Sequence, residues 1–345
     1  MKEQNNKNKL NIFKKTFIKI CRIFGYEIID QSSFYVPTQK KYLDQNLSIQ
    51  GKKSITLPLG ETKITRKVNS LTIIFRSCTN INMLTQNKKR LFEEKKSEYT
   101  FRSLNSIISS INLAKNNFPK INFNIIVIDY NSKKEDVDQI AKQLKASNIT
   151  NTIISLNVNE FISKINKINA KNENVTSNQM SNMANIHKSF LFAKEKCEDL
   201  IYFVEDDYIH KKNSFSEIIF SYERISSQLN RELILCPADY PYLYTKLDYT
   251  NIFLGNEVHW RRVEETLCTF LTSKAVILKH WNKLVSMCQY EHYPFEKPLH
   301  DIYKSEYCLS PLPSLSIHCT NVNSIFGLSP NVNWKSLWDE NKNYK

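Results

Sequence analysis

The chain has 345 residues, 41% hydrophobic and 24% charged, with 48 Lys and Arg against 34 Asp and Glu for a formal net charge of +14. That length can bury the core of one large domain with appendages or of two small ones, and the composition excludes a chain disordered throughout. Only five glycines occur, and neither a G-x-G-x-x-G nor a Walker A sequence is present, so Gly-rich phosphate loops are excluded.

Residues 1–9 are polar. From Leu10 to Phe24 the residues Leu10, Phe13, Phe17, Ile20 and Phe24 recur at three- and four-residue steps, with Lys14, Lys15, Lys19 and Arg22 between them. This spacing predicts a basic amphipathic helix. Such a helix either lies on an anionic membrane leaflet or packs its apolar face on the main domain. Residues 1–30 are therefore read as a leader, and residues 31–67, with Pro37 and Pro58 and no periodicity, as a linker or wrap.

The main domain, residues 68–320, opens with the apolar run Ser70–Cys78, a buried strand ending in Arg76. A Lys-rich polar loop leads to a helix from Tyr99 to Leu113. Asn122–Asp129 is a second strand ending in an acid, with a turn at Tyr130-Asn131-Ser132. A helix over Glu135–Ala146, a strand over Thr152–Leu156 and a helix over Asn178–Lys196 follow. Next comes Leu200-Ile201-Tyr202-Phe203-Val204-Glu205-Asp206-Asp207, an apolar strand running straight into three carboxylates.

Three adjacent acids repel one another unless a cation or proton intervenes, and burying them unpaired is costly. The run reads either as an acidic turn after a core strand or as a strand end that holds Mn or Mg through oxygen ligands. The alternation of strands and helices predicts an α/β fold, a mostly parallel central sheet flanked by helices. In such sheets ligands bind at the carboxyl ends of the strands, so Arg76, Asp129 and Glu205 to Asp207 should converge on one crevice.

The second half holds a helix at Ile218–Leu229 and a strand at Leu233–Pro237. Trp260, with Tyr242 and Tyr244, either offers an aromatic stacking face or simply fills the core. The last apolar run, Ser310–His318, reads as a Pro-punctuated strand, and residues 321–345, with Trp334 and Trp338, as a tail that docks on the domain. The eight cysteines show no C-x-x-C pair or zinc spacing and read as reduced thiols. With no apolar stretch of transmembrane length and no signal-peptide pattern, the expected location is the cytoplasm, peripheral on the inner membrane face if the leader helix binds lipid.

This order of elements resembles the nucleotide-sugar glycosyltransferases of the GT-A fold, particularly the inverting family two of bacteria, over roughly residues 70 to 320. The resemblance implies a nucleotide-diphosphate sugar as donor and a saccharide or lipid-linked acceptor. It implies donor contacts from Asp129, with Ser132 in the following turn, and from Glu205 and Asp206. It puts Asp207 on the metal, with His318 as a late further ligand, and Thr269 on the acceptor-side strand beside Thr266 and Phe270. Asp301 is the first choice for the catalytic carboxylate and Glu296 the second. Two departures stand out: one acid instead of a pair at Asp129, and Glu205 where the acid-x-acid motif begins with Asp. On this reading Arg76 meets a phosphate oxygen or the base, and Trp260 the acceptor sugar.

Two rivals remain. A sugar-phosphate nucleotidyltransferase would share the sheet but usually carries a Gly-rich basic loop after the first strand, which the residues from Arg76 to Lys96 lack. A basic nucleic-acid-binding protein would suit the charge, but no recognised module is present, so no nucleic-acid partner is expected.

Overall fold

The computed structural model describes residues 12–26, 54–56, 60–80, 90–169, 171–245, 249–292 and 294–344. It forms two compact units, Met1–Leu47 with Ile55–Glu61, and Ser48–Ser54 with Thr62–Lys345. In the first unit, α1 (Ile12–Ile23) is the expected amphipathic helix. Phe13, Phe17, Ile20 and Phe24 stand exposed along it or at its end, and Leu10 lies outside the described residues. Two short strands, β1 (Ser54–Thr56) and β2 (Gly60–Thr62), pair as a ribbon. Most of the expected wrap, residues 31–53, also lies outside the described residues. Its end is tied down: the Thr65 and Arg66 amides donate to Ser227 Oγ at 3.0 and 2.9 Å, and Arg66 Nε donates to Glu232 at 2.7 Å.

The second unit is α/β. In chain order it contains β3 (Ser70–Ser77), α2 (Lys96–Asn117), β4 (Asn122–Asp129), α3 (Lys134–Ala146), β5 (Thr150–Ser155), α4 (Ser177–Lys196), β6 (Leu200–Glu205) and β7 (Tyr208–His210). There follow α5 (Ser214–Leu229), β8 (Leu233–Leu235), β9 (Ile252–Leu254), β10 (His259–Val263) and β11 (Phe270–Ser273). The chain closes with α6 (Lys274–Lys279), α7 (Trp281–Gln289), α8 (Lys297–Tyr303), β12 (Tyr307–Leu312), β13 (Ser316–His318) and α9 (Trp334–Glu340).

Nine strands form one sheet in the order β5-β4-β3-β6-β11-β8-β12-β10-β9. The first four are mutually parallel; β3, β4 and β6 are the apolar runs expected of strands covered on both faces, and β5, at the edge, is polar and largely exposed. β11 enters antiparallel between β6 and β8, β12 is parallel to β8, and β10 and β9 run antiparallel at the far edge. The register sets the site: Ser77 lies opposite Asp129 and Arg76 opposite Glu205, so three strand ends finish level.

After Glu205 the chain turns at Asp206-Asp207 and leaves the large sheet. β7 then pairs antiparallel with β13 as a separate two-stranded sheet, with Tyr208 opposite His318. This corrects the reading of Ser310–His318 as one strand. β12 and β13 belong to different sheets, and Pro313, which follows a cis peptide bond, lies in the break. The helix expected over Tyr99–Leu113 is longer, starting at Lys96 and ending at Asn117. Thr266 and Thr269 precede β11 rather than lying in it.

The core lies on both faces of the large sheet, with Leu71, Ile73 and Phe75 of β3 and Leu104, Ile107 and Ile111 of α2 fully buried. Burying a side chain of that size contributes about 1.5–3 kcal/mol. A smaller cluster forms behind the acidic turn from Tyr99, Ile209, Ile317, Cys319, Leu337 and Trp338. Trp338 of α9 stacks on Phe92 with ring centroids 4.0 Å apart, and the Arg102 guanidinium lies 4.0 Å from the Trp338 ring centroid. Residues 334–340 thus help buttress β7 and α2, which flank the turn.

Candidate functional site

A cavity of about 340 Å³ opens at the carboxyl ends of β3 and β6. Its walls include Arg76, Glu205, Asp206, Asp207, His318 and Thr320 on the strand-end side. The α4 N-terminus and the segment joining α7 to α8 supply further lining, among them Gln179, Asn182, Glu291 and Glu296.

The three acids do different work. Glu205 pairs with Arg76 at 2.9 Å, and its backbone N–H donates to Thr269 Oγ1 at 3.4 Å. Asp206 is held from three sides: by Lys96, by Thr100 Oγ1 at 2.8 Å and by the Cys78 N–H at 3.2 Å. Burial works against the charge of Lys96, but Asp206 and Asp207 hold its pKa above the ordinary lysine value. Asp206 is therefore a structural anchor that ties the β6 turn to α2 and to the end of β3.

Asp207 faces the other way. Its Oδ2 lies 3.3 Å from His318 Nε2 and accepts from Thr320 Oγ1, while its Oδ1 is buried with no hydrogen-bond partner among the described residues. Burial opposes the carboxylate charge, but His318 and then Lys96 hold the group well below the usual carboxylate range. For His318 burial opposes protonation, and Asp207 outweighs it and raises the imidazole. The other ring nitrogen, Nδ1, lies 3.1 Å from the Phe326 carbonyl, which leaves Nε2 turned to the acid.

Among the described residues no group of three or more His, Cys, Asp or Glu side chains is arranged to hold a metal ion. A divalent cation that keeps substrate phosphates and waters in its shell asks less of the protein, one or two ligands. Asp207 and His318 fit that smaller demand once the imidazole gives up the Nε2 proton, which in this structure faces Asp207 Oδ2 and Thr320 Oγ1, the latter at 2.8 Å. One carboxylate oxygen has no partner, and the imidazole is oriented from behind by a backbone carbonyl, as metal-ligating histidines usually are.

The other expected site residues fall into three groups. Asp129 is buried and accepts from Ser77 Oγ at 2.7 Å, Ser132 Oγ at 2.5 Å and the Ser132 N–H at 3.2 Å. Ser132 Oγ in turn accepts from the Thr79 N–H at 2.9 Å. Neither Asp129 nor Ser132 lines the cavity; together they knit the ends of β3 and β4 beneath it. Trp260 is wholly buried in β10, its indole N–H donating to Ser221 Oγ at 2.9 Å, so its place is in the core rather than on the cavity wall. Asp301 sits in α8 outside the cavity, paired with Lys304 at 2.5 Å, whereas Glu296, at the start of that helix, lines it.

Among the lining residues that escaped the sequence are Lys96, Arg90, Thr320 and Glu291. Arg90 and Lys96 belong to the end of a Lys-rich stretch with nothing local to set them apart, and residues 81–89, just before Arg90, lie outside the described residues. The Arg90 guanidinium lies 5.7 Å from the Tyr99 ring centroid, and its Nε and Nη2 are buried without a partner among the described residues. Thr320 follows His318 by two positions, and Glu291 follows α7. Cys78 is also on the wall, and burial and then Asp206 push its thiol up to about 11.

No family model and no curated protein sequence matches the chain. Among solved structures, similarity is recorded to S. aureus TarS 1–349, at 12% identity over 61% of this chain and 48% of that one, with a TM-score of 0.34. It is also recorded to GalNAc-T7 with UDP, GalNAc and Mn2+, at 10% identity over 73% and 43%, with a TM-score of 0.41. A third is UTP-bound UGPase from Acinetobacter baumannii, at 7% identity over 73% and 88%, with a TM-score of 0.35. The chain spans about half the length of the first two. At these scores the likenesses carry no argument, and the functional reading rests on the site.

Proposed function

We propose that the chain is a metal-dependent glycosyltransferase of the GT-A type that moves a sugar from a nucleotide-sugar donor to a hydroxyl of a saccharide or lipid-linked acceptor, with inversion, in surface polysaccharide or glycan synthesis. One observation carries this reading: the unpartnered Asp207 oxygen beside His318, at the carboxyl end of a central strand, in a cavity that also holds Arg76 and Arg90.

Asp207 and His318 would hold Mn or Mg, which when bound neutralises charge growing on the diphosphate leaving group. Arg90 supplies a guanidinium fork for a phosphate oxygen, and Arg76, fixed by Glu205, a second cationic edge. Glu296 takes the proton of the attacking hydroxyl from the opposite wall, a role contributing about 10²–10⁴-fold. Asp301, outside the cavity, is not carried forward as the base. A single displacement needs no protein nucleophile, in keeping with the raised Cys78 and Cys268 thiols.

The leader helix supports a peripheral membrane placement. Its aromatic and aliphatic residues are exposed beside Lys19 and Arg22, the composition that suits an anionic lipid surface. No described helix is long and apolar enough to cross a membrane.

The experiment is a thermal-shift screen of UDP, GDP, CMP and dTDP with and without Mn. A metal-dependent rise in Tm for one nucleotide, lost in Asp207→Ala, is the expected result. Binding of none of them, or pyrophosphate release from a nucleoside triphosphate and a sugar phosphate, would overturn the proposal.

A further inference from the structure

The cavity carboxylates are not alike in how their charge is met. Glu205 has Arg76, Asp206 has Lys96 and Asp207 has His318. Glu291 lies on the opposite wall and is 5% exposed. Its one partner among the described residues is an amide: Gln179 Nε2 donates to Oε1, while Oε2 is buried with no hydrogen bond. A buried carboxylate oxygen left so is costly, and a hydrogen-bond donor entering the cavity would relieve that cost.

The support behind Glu291 is rigid. Gln179 completes a capping box at the start of α4: its Oε1 accepts from the Thr176 N–H at 3.0 Å and its own N–H donates to Thr176 Oγ1 at 3.2 Å. With that oxygen committed, only the Gln179 amide nitrogen can face Glu291. The chain before Glu291 is pinned as well, since the Asn166 N–H donates to the Gln289 carbonyl at 2.8 Å. One oxygen of Glu291 is thus held and the other left to accept.

We propose that Glu291 is a sugar-recognition residue, its free Oε2 accepting a hydrogen bond from a hydroxyl of the glycosyl part of the substrate, an inference that rests on the glycosyltransferase reading. The cavity then carries polar groups for both parts of the substrate among apolar lining that includes Leu267 and Phe295. Arg90 takes the diphosphate together with the cation that Asp207 and His318 would hold, and Glu291 takes a hydroxyl of the sugar. Donor sugar and acceptor sugar offer the same chemistry, and the assay separates them.

The test is Glu291→Gln. Because Gln179 presents its amide nitrogen, the new side chain must turn its oxygen to Gln179 and its NH2 to the cavity, which converts an acceptor into a donor at nearly constant shape. Affinity for each free nucleoside diphosphate should stay within twofold of wild type. The affinity or KM for a panel of UDP-, GDP- and dTDP-sugars should weaken ten- to a hundredfold if the hydroxyl belongs to the donor. If it belongs to the acceptor, the KM for free glucose, galactose or N-acetylglucosamine should change instead. Glu291→Asp should recover part of the loss, and if Glu291→Gln fails to fold, Gln179→Ala should weaken the same constant less severely. Unchanged sugar affinity and KM in Glu291→Gln overturns the assignment alone. Equal loss of free nucleoside diphosphate also overturns it, by showing a structural role. A wild-type protein that binds no nucleotide sugar overturns the glycosyltransferase reading and this inference with it.

Discussion

His318 Nε2 stands 3.3 Å from Asp207 Oδ2, and the contact is made by two short strands outside the main sheet. β7 carries the chain away from Asp207 and β13 brings His318 back beside it. The pairing of Tyr208 with His318 fixes the distance, so a carboxylate and an imidazole far apart in sequence act as one unit.

Asp207→Asn should therefore keep the fold and lose the metal-dependent part of nucleotide binding. The side chain retains its shape and its contacts with His318 and Thr320, but loses the charge that a cation needs. We expect the Mn-dependent Tm rise with nucleoside diphosphate to disappear while far-UV circular dichroism is unchanged. A full shift in this variant would place the metal elsewhere.

Removing Lys96 should damage stability rather than binding alone. Lys96→Met leaves the Asp206 charge buried with only Thr100 and the Cys78 amide as partners. Breaking one side of such a pair costs about 3–5 kcal/mol. Urea unfolding should show that loss, and Lys96→Met/Asp206→Asn should regain much of it. Equal stability of the single variant and wild type would contradict the anchoring role of Asp206.

The two carboxylates near α8 should separate cleanly. Glu296→Gln, on the cavity wall, should lower transfer about 10²–10⁴-fold with little change in donor affinity. Asp301→Asn, outside the cavity and paired with Lys304, should stay within twofold. Initial rates with a nucleotide sugar decide the matter, and the reverse ranking would restore Asp301 as the base.

What was legible in the sequence follows from the range of the forces involved. The apolar runs of β3, β4 and β6 announce buried parallel strands, because such strands are apolar on both faces. Their polar ends then had to meet at one edge of the sheet. The division of labour between Asp206 and Asp207 was not legible, since it depends on Lys96 and His318, one far upstream and one far downstream. Trp260 was ambiguous for the same reason: its partners, Ser221 and Glu217, belong to α5. Glu291 follows α7 with no local pattern, and only the cavity and the capping box of α4 give it meaning. Asp129, read as a ligand contact, has its oxygens taken up by the turn it closes.

His210 gives the protein an acid-sensitive core. It is buried in β7, with Nε2 2.7 Å from Tyr202 Oη and Nδ1 3.4 Å from Ser106 Oγ. Burial lowers its pKa to about 3 from an ordinary 6.5. The folded imidazole stays neutral where the unfolded one takes a proton, so the unfolded state binds more protons at every pH between those values. Stability from this group is complete above about pH 6.5 and is lost as pH falls toward 3, at about 1.4 kcal/mol per pH unit once the unfolded imidazole is fully protonated. Urea unfolding at pH 7 and pH 5 should show His210 contributing a loss of about 2 kcal/mol to the wild-type difference. In His210→Gln, which offers polar atoms to Tyr202 and Ser106 but cannot titrate, the difference between the two pH values should shrink by that amount even though the variant is less stable at pH 7. The same pH difference in both proteins would mean that His210 is protonated in the folded state or reached by water.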